Sequence, residues 1–397
     1  MRGQHARVLV SALVVALAAC TPSGSTTAAI EPPVVSVASA SPSETAEAFP
    51  IEAFAGLGDE PVSDELAAEL QKVLDTSAKG DGLTATVISP AGTWSGATGL
   101  AAGGRAMVPN DQMSIAHITQ TLVAAQVMQL VEAGELSLDD PAADHLPPDL
   151  DFDTNGASIA DLLSHRGGLA ETLTGPGQLK SLTTDPLHTW TPEEVLATVG
   201  PKRTPVGQSW EFLGTNYTLL GVIIEQVTGR PLAKVLRGGV LDGDGYERLI
   251  FQPDERPTEP MAMPSGAAAD TFDEVGGSLP SLARVTAEKT EANMASDAPS
   301  LARWWKALCA GEVVSAASLN EMTDFRTRPE FGLGIWDRRS EYGYGSGALG
   351  LVGVADEGYG SAALCFQDPG IVVVVLANAE EHDVDTTAGD LVQTAST

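Results

Sequence analysis

A chain of 397 residues can hold one large domain or two small ones around a sizeable core, and 43% apolar against 19% charged residues describes a folded protein rather than a disordered one. Acidic side chains outnumber basic ones 53 to 22, a net charge of -31, so the surface repels phosphate backbones and nucleic-acid binding is excluded.

Arg2 and Arg7 precede a short apolar run over residues 8–17, which ends in Leu17-Ala18-Ala19-Cys20. A charged start, a brief apolar core and small residues before a cut describe a secretory signal, too short to span a bilayer as a mature helix. The tetrad matches the bacterial lipobox. That resemblance implies a lipoprotein signal peptide at 1–19, cleavage before Cys20, lipidation of its thiol, and anchorage on the outer face of the cytoplasmic membrane. Residues 20–55 are dominated by Ser, Thr, Pro and Ala without hydrophobic period, and read as a tether.

A folded domain is expected over 56–397. Ser63-Asp64-Glu65 leads a helical pattern through Leu74, and residues 83–89 and 93–99 form a hairpin across Pro90-Ala91-Gly92. Residues 120–132 are nearly all apolar, a helix buried on most sides and ended by Gly134. Further helices start at Ser158, run from Asn216 to Gly229, and cover 301–308 behind a cap at Ser296 or Asp297. Strands return at 332–337, 361–367 and 371–377, the last (IVVVVLA) β-branched throughout as a central strand should be, followed by a weak helix. Strands at both ends of a domain join in one sheet, so the class is α+β: an antiparallel sheet from both chain ends flanked by helices, with an inserted, mostly helical subdomain at about 105–320. Once Cys20 is set aside, Cys309 and Cys365 form either one disulfide or two buried free thiols, and spacing does not choose between them.

Six segments together resemble the serine β-lactamase-related family of class C β-lactamases, D-alanyl-D-alanine carboxypeptidases and related esterases. They are VMQLVEAGELSLDDPAADHLP (127–147), SIADLLSHRGGL (158–169), NYTLLGVIIEQVTGRPL (216–232), ASDAPSLARWWKAL (295–308), FGLGIW (331–336) and IVVVVLAN (371–378). The resemblance spans roughly 60–395 and implies the β-lactamase/transpeptidase-like fold. It also places three catalytic motifs. The family's Ser-x-x-Lys pair, a nucleophile and its base one helical turn apart, falls on His117 and Gln120. A Gln amide is no base. The Tyr-x-Asn motif falls on Phe212, Leu213 and Gly214, which lack both the hydroxyl and the amide. The Lys/His-x-Gly strand motif falls on Leu351, Val352 and Gly353.

Members of such a constellation act as a unit. The resemblance therefore implies a catalytically degenerate relative, with none of the expected catalytic groups in place. The old cleft, lined by His117, Gln120, Phe212, Leu213, Leu351, Val352 and Gly353, is expected to be more apolar and less charged. It would suit an apolar small molecule or a cell-envelope component. The alternative is an active serine hydrolase with a displaced nucleophile, Ser114, three residues before His117; Ser114 reads better as part of the strand or turn leading to the helix. His165 reads as a satisfied structural histidine and Trp304-Trp305 as core. Asp139-Asp140 reads as a turn cap. His145, His188 and His382 are scattered without metal-ligand spacing, and neither metal nor cofactor is expected.

Overall fold

The computed structural model describes residues 48–101, 104–257, 261–264, 271–274, 277–338, 348–355 and 358–397. The expected signal peptide, Cys20 and residues 21–47 of the tether lie outside the described residues.

Helices α1 (Glu52–Ala55) and α2 (Asp64–Ser77) lead into the hairpin of β1 (Leu83–Ser89) and β2 (Gly92–Thr98). Ser63 caps α2 as its sequence position suggests, Oγ accepting the amide of Leu66 at 3.3 Å. Short β3 (Met113–Ser114) and a 3-10 turn (Ala116–Ile118) precede α3 (Thr119–Glu132). Then come α4 (Ile159–Leu163), α5 (Pro176–Thr184), α6 (Pro192–Leu196), α7 (Gly214–Thr228) and α8 (Leu232–Arg237). β4 (Ile250–Phe251), β5 (Thr271–Glu274), β6 (Gly277–Pro280), α9 (Leu282–Ala287) and β7 (Met294–Ser296) follow. The chain closes with α10 (Ala298–Cys309), α11 (Ala316–Met322), β8 (Trp336–Asp337), β9 (Ala348–Ala355), β10 (Tyr359–Phe366), β11 (Ile371–Ala377) and α12 (Val384–Ala395).

The main sheet runs β2-β1-β11-β10-β9-β8, every neighbouring pair antiparallel. Strands from both chain ends thus meet where Leu83 faces Ala377 and Ile88 faces Val372. β11 is buried on both faces, which is why it reads as unbroken apolar residues. Successive side chains of a strand point to opposite faces. Val373 and Val375 pack with Leu70, Leu74 and Leu391 of α2 and α12; Val372, Val374 and Leu376 pack with Trp304, Trp305 and Leu308 of α10. Of the two candidate caps for α10, Asp297 is the one used, accepting the amide of Ser300 at 2.8 Å.

Four expectations change. The domain begins before residue 56: Phe49 and Phe54 are buried in the core and stacked at 5.9 Å, so 48–55 belong to the packed body and not to the tether. Part of the segment assigned to the helical insert, α10, lies on the main sheet, because both its tryptophans are buried and need a large apolar surface. The insert also carries a three-stranded sheet, β3-β7-β4. Finally, the expected strand at 332–337 shrinks to β8. Gly334 at φ 74 and a Gly332 amide bond to the carbonyl of Ile335 make the preceding residues a tight turn, with Phe331 and Leu333 buried as its anchors. The two cysteines, left open by spacing, form a disulfide joining the end of α10 to β10, Cα to Cα 6.9 Å.

Two buried phenylalanines contribute roughly 1.5–3 kcal/mol each. A chain starting at residue 56 should therefore be less stable than one starting at residue 48 by about 3 kcal/mol or more. Urea unfolding of the two truncations measures the difference.

Candidate functional site

Two of the three sequence-predicted places meet in the structure. The 3-10 turn delivers His117 and the first turn of α3 delivers Gln120, three residues apart on one face. The residue before the turn's histidine, Ala116, has φ 47, a strained conformation for a side chain with Cβ. The loop leading into α7 delivers Phe212, Leu213 and Gly214. The ring of Phe212 meets His117 edge-on at 5.1 Å. The third place is on β9, where Leu351, Val352 and Gly353 face Ala363, Ala362 and Ser361 of β10. β9 packs beside the 3-10 turn, and Ser361 Oγ donates to the carbonyl of Ile115 at 3.0 Å. Ser114 belongs to β3, opposite Ala295; it is buried, and its Oγ accepts the amide of Ala116 at 3.2 Å.

His165 joins the first two places. Its Nδ1 faces the amide N–H of Leu213 and the side-chain amide of Asn216, each at 3.2 Å. The Leu213 amide can only donate, so Nδ1 accepts and the proton stays on Nε2. Nε2–H then donates to Gln120 Oε1 at 2.9 Å. The ring is 1% exposed and packed against Phe212 at 4.5 Å, Phe331 at 4.8 Å and Tyr217 at 5.1 Å. Burial, with His117 nearby, pushes its pKa down to about 3. Gln120, on the seat of the family's base, thus accepts a hydrogen bond through Oε1. Its buried Nε2 has no hydrogen-bond partner among the described residues.

The cleft is less apolar than its sequence suggests. Phe212, Trp210, Phe331 and Trp336 do build an aromatic wall, with ring centroids 5.7 to 6.5 Å apart. Three glutamates from elsewhere in the chain stand opposite. Glu291 Oε1 lies 3.3 Å from His117 Nε2, the two side chains 19% and 26% exposed. Glu171 accepts the amides of Gly214 at 2.8 Å and Thr215 at 3.3 Å, the free donors at the start of α7. Burial raises the pKa of Glu171 and the charge of Glu291 adds to it, although the Thr172 and Gly214 amides oppose. Glu288 accepts from Arg284 Nη1 at 2.8 Å, and desolvation raises its pKa against that guanidinium. These carboxylates lie in AETLTG and AEKTEAN, where no spacing marks them. One signal did exist: a glycine at 214, at the head of a helix that needs no turn there, points to something approaching the backbone closely.

Among the described residues the other histidines pair with carboxylates: His145 with Asp140 at 2.9 Å, His188 with Glu194 at 3.6 Å, and His382 with the distant Asp81 at 3.0 Å.

A sheet built from both chain ends, a central helix opening at the cleft, and a second helix whose N-terminus faces it describe a β-lactamase-like fold. The chain matches the β-lactamase family over residues 70–395 and belongs to it. It is 30% identical over 161 residues to penicillin-binding protein 4 of Amycolatopsis lactamdurans, 38% of this chain and 39% of that protein. Matches to the first curated relatives span only 31% to 39% of those proteins' own length. Among solved structures, the D-stereospecific amidohydrolase from Streptomyces sp. superimposes with a TM-score of 0.67 at 24% identity, covering 83% of this chain and 98% of that one. The D-amino acid amidase from Ochrobactrum anthropi SV3 does so with a TM-score of 0.68 at 23% identity, with the same coverage. At such identities the likeness is one of fold.

His165 supplies a pH dependence. Its folded-state pKa lies below the ordinary 6.5, so the unfolded chain takes up the proton first as pH falls. The stabilisation from the neutral ring is complete above pH 6.5 and is lost down to about pH 3. The slope is at most about 1.4 kcal/mol per pH unit. The raised carboxyls of Glu171 and Glu288 act in the opposite sense. Urea unfolding between pH 3 and pH 7 should show a slope shallower by about 1 kcal/mol per unit in His165→Gln than in the native protein.

Proposed function

We propose that this β-lactamase family member does not carry out acyl transfer, and that it serves as a binding or scaffolding protein of the bacterial cell envelope. One pair carries the reading: the side chain on the seat of the base, Gln120, is an amide that accepts a hydrogen bond from the neutral ring of His165. Acyl transfer of this kind needs a group there that takes a proton from the nucleophile. A carboxamide cannot take one, and the seat of the nucleophile holds an imidazole beside a carboxylate. The aromatic wall of Trp210, Phe212 and Trp336 is the surface on which an apolar partner or small molecule would rest. The alternative of an active hydrolase through Ser114 draws no support from the hydroxyl's position, buried and bonded to its own backbone neighbour.

The purified protein, incubated with a fluorescent penicillin or a fluorophosphonate, should form no covalent adduct above that of heat-denatured protein. A stoichiometric adduct overturns the reading, and its loss in Ser114→Ala or His117→Ala would locate the nucleophile.

The expected lipid anchor is part of the same proposal, supported by Leu17-Ala18-Ala19-Cys20. Cys20→Ala should move the chain from the membrane fraction to the soluble fraction of the expressing cells, as an immunoblot of the two would show.

A further inference from the structure

We infer that Glu291 is an internal ligand of the cleft, a carboxylate of this chain lodged against His117 in space that a side chain at position 214 would otherwise fill, and that residue 214 is glycine in order to admit it. An ideal Cβ built on Gly214 would lie 1.9 Å from Glu291 Oε2, 2.3 Å from its Cδ and 2.7 Å from Oε1. All three atoms are inside any contact distance that real side chains show. The backbone of Gly214 does not ask for glycine: it is absent from the residues with positive φ, and it begins an α-helix, where alanine is the better residue. The demand comes from the carboxylate. On the other side of that carboxylate stands His117 Nε2, 3.3 Å from Oε1.

The charges around the seat show why such an arrangement holds, and also why it can be released. In its favour act His117 and the positive end of α7, a helix of 15 residues. Against it act Glu171, which already takes the first amides of that helix, and Glu288. Arg284 answers Glu288 rather than Glu291. Glu291 is therefore held by one imidazole and by shape, beside two like-charged neighbours. The bare backbone at 214 and the carboxylate of Glu291 therefore depend on each other.

The test is a double-mutant cycle on the full chain, read by the rate at which diethyl pyrocarbonate carbethoxylates His117, followed by peptide mass spectrometry. Glu291→Ala uncovers the ring and should raise that rate several-fold. Gly214→Ala, with Glu291 still present, should raise it comparably, because the new methyl expels the carboxylate. The double variant should react no faster than either single one. Stability should change sign as well: alanine at 214 should raise Tm when residue 291 is alanine, where only its better helix propensity is felt, and should not raise it beside Glu291. Acetate at tens of millimolar should slow carbethoxylation in Glu291→Ala but not in the native protein. The inference is overturned if Gly214→Ala leaves the His117 rate at its native value, or if the two substitutions multiply. Should Glu291→Ala fail to fold, Gly214→Ala alone decides the matter. None of these readouts depends on acylation, so an adduct with penicillin would leave this result standing, and failure here would leave the absence of acyl transfer untouched.

Discussion

The candidate site is organised around a histidine that must stay neutral. His165 can accept from the Leu213 amide only while Nδ1 is bare, and can donate to Gln120 only while Nε2 keeps its proton. One tautomer therefore ties the start of α3 to the segment leading into α7. Burial among three aromatic rings holds the ring in that state. The orientations of Gln120, Phe212 and Leu213, and so the shape of the cleft floor, depend on it.

Around that hub, side chains from distant segments of the chain come together. Carboxylates from elsewhere in the chain stand beside His117 and the start of α7. Glu171 satisfies the first amides of α7, Glu291 faces His117, and Glu288 is answered by Arg284. The cleft's outer wall of Trp210, Phe212 and Trp336 is still half open.

Long, strongly patterned elements were legible from residue order: α2 with its serine cap, the β1–β2 hairpin, α3, α7, and β11 with its unbroken valines. Each is set by local periodicity and by capping chemistry within a few residues. The elements that shifted depend on distant partners. Phe49 and Phe54 sit in a stretch with the composition of a tether and are claimed by the core all the same. The Gly332–Ile335 turn is set by glycine geometry that hydrophobic alternation does not reveal.

The sequence by itself determined the family fold, because its six framing segments are set by local pattern that identifies them wherever the chain goes. Only the tertiary structure decided which side chains meet at His117 and Gly214. Glu171 and Glu291 are 43 and 174 residues from Gly214 and His117, which they meet, and no spacing rule links side chains at that distance. The cleft's apolar expectation followed from its own residues, whereas Trp210, Phe331 and Trp336 join Phe212 from other segments. The cleft's charge came from elsewhere in the chain, since burial and proximity are properties of the folded molecule alone.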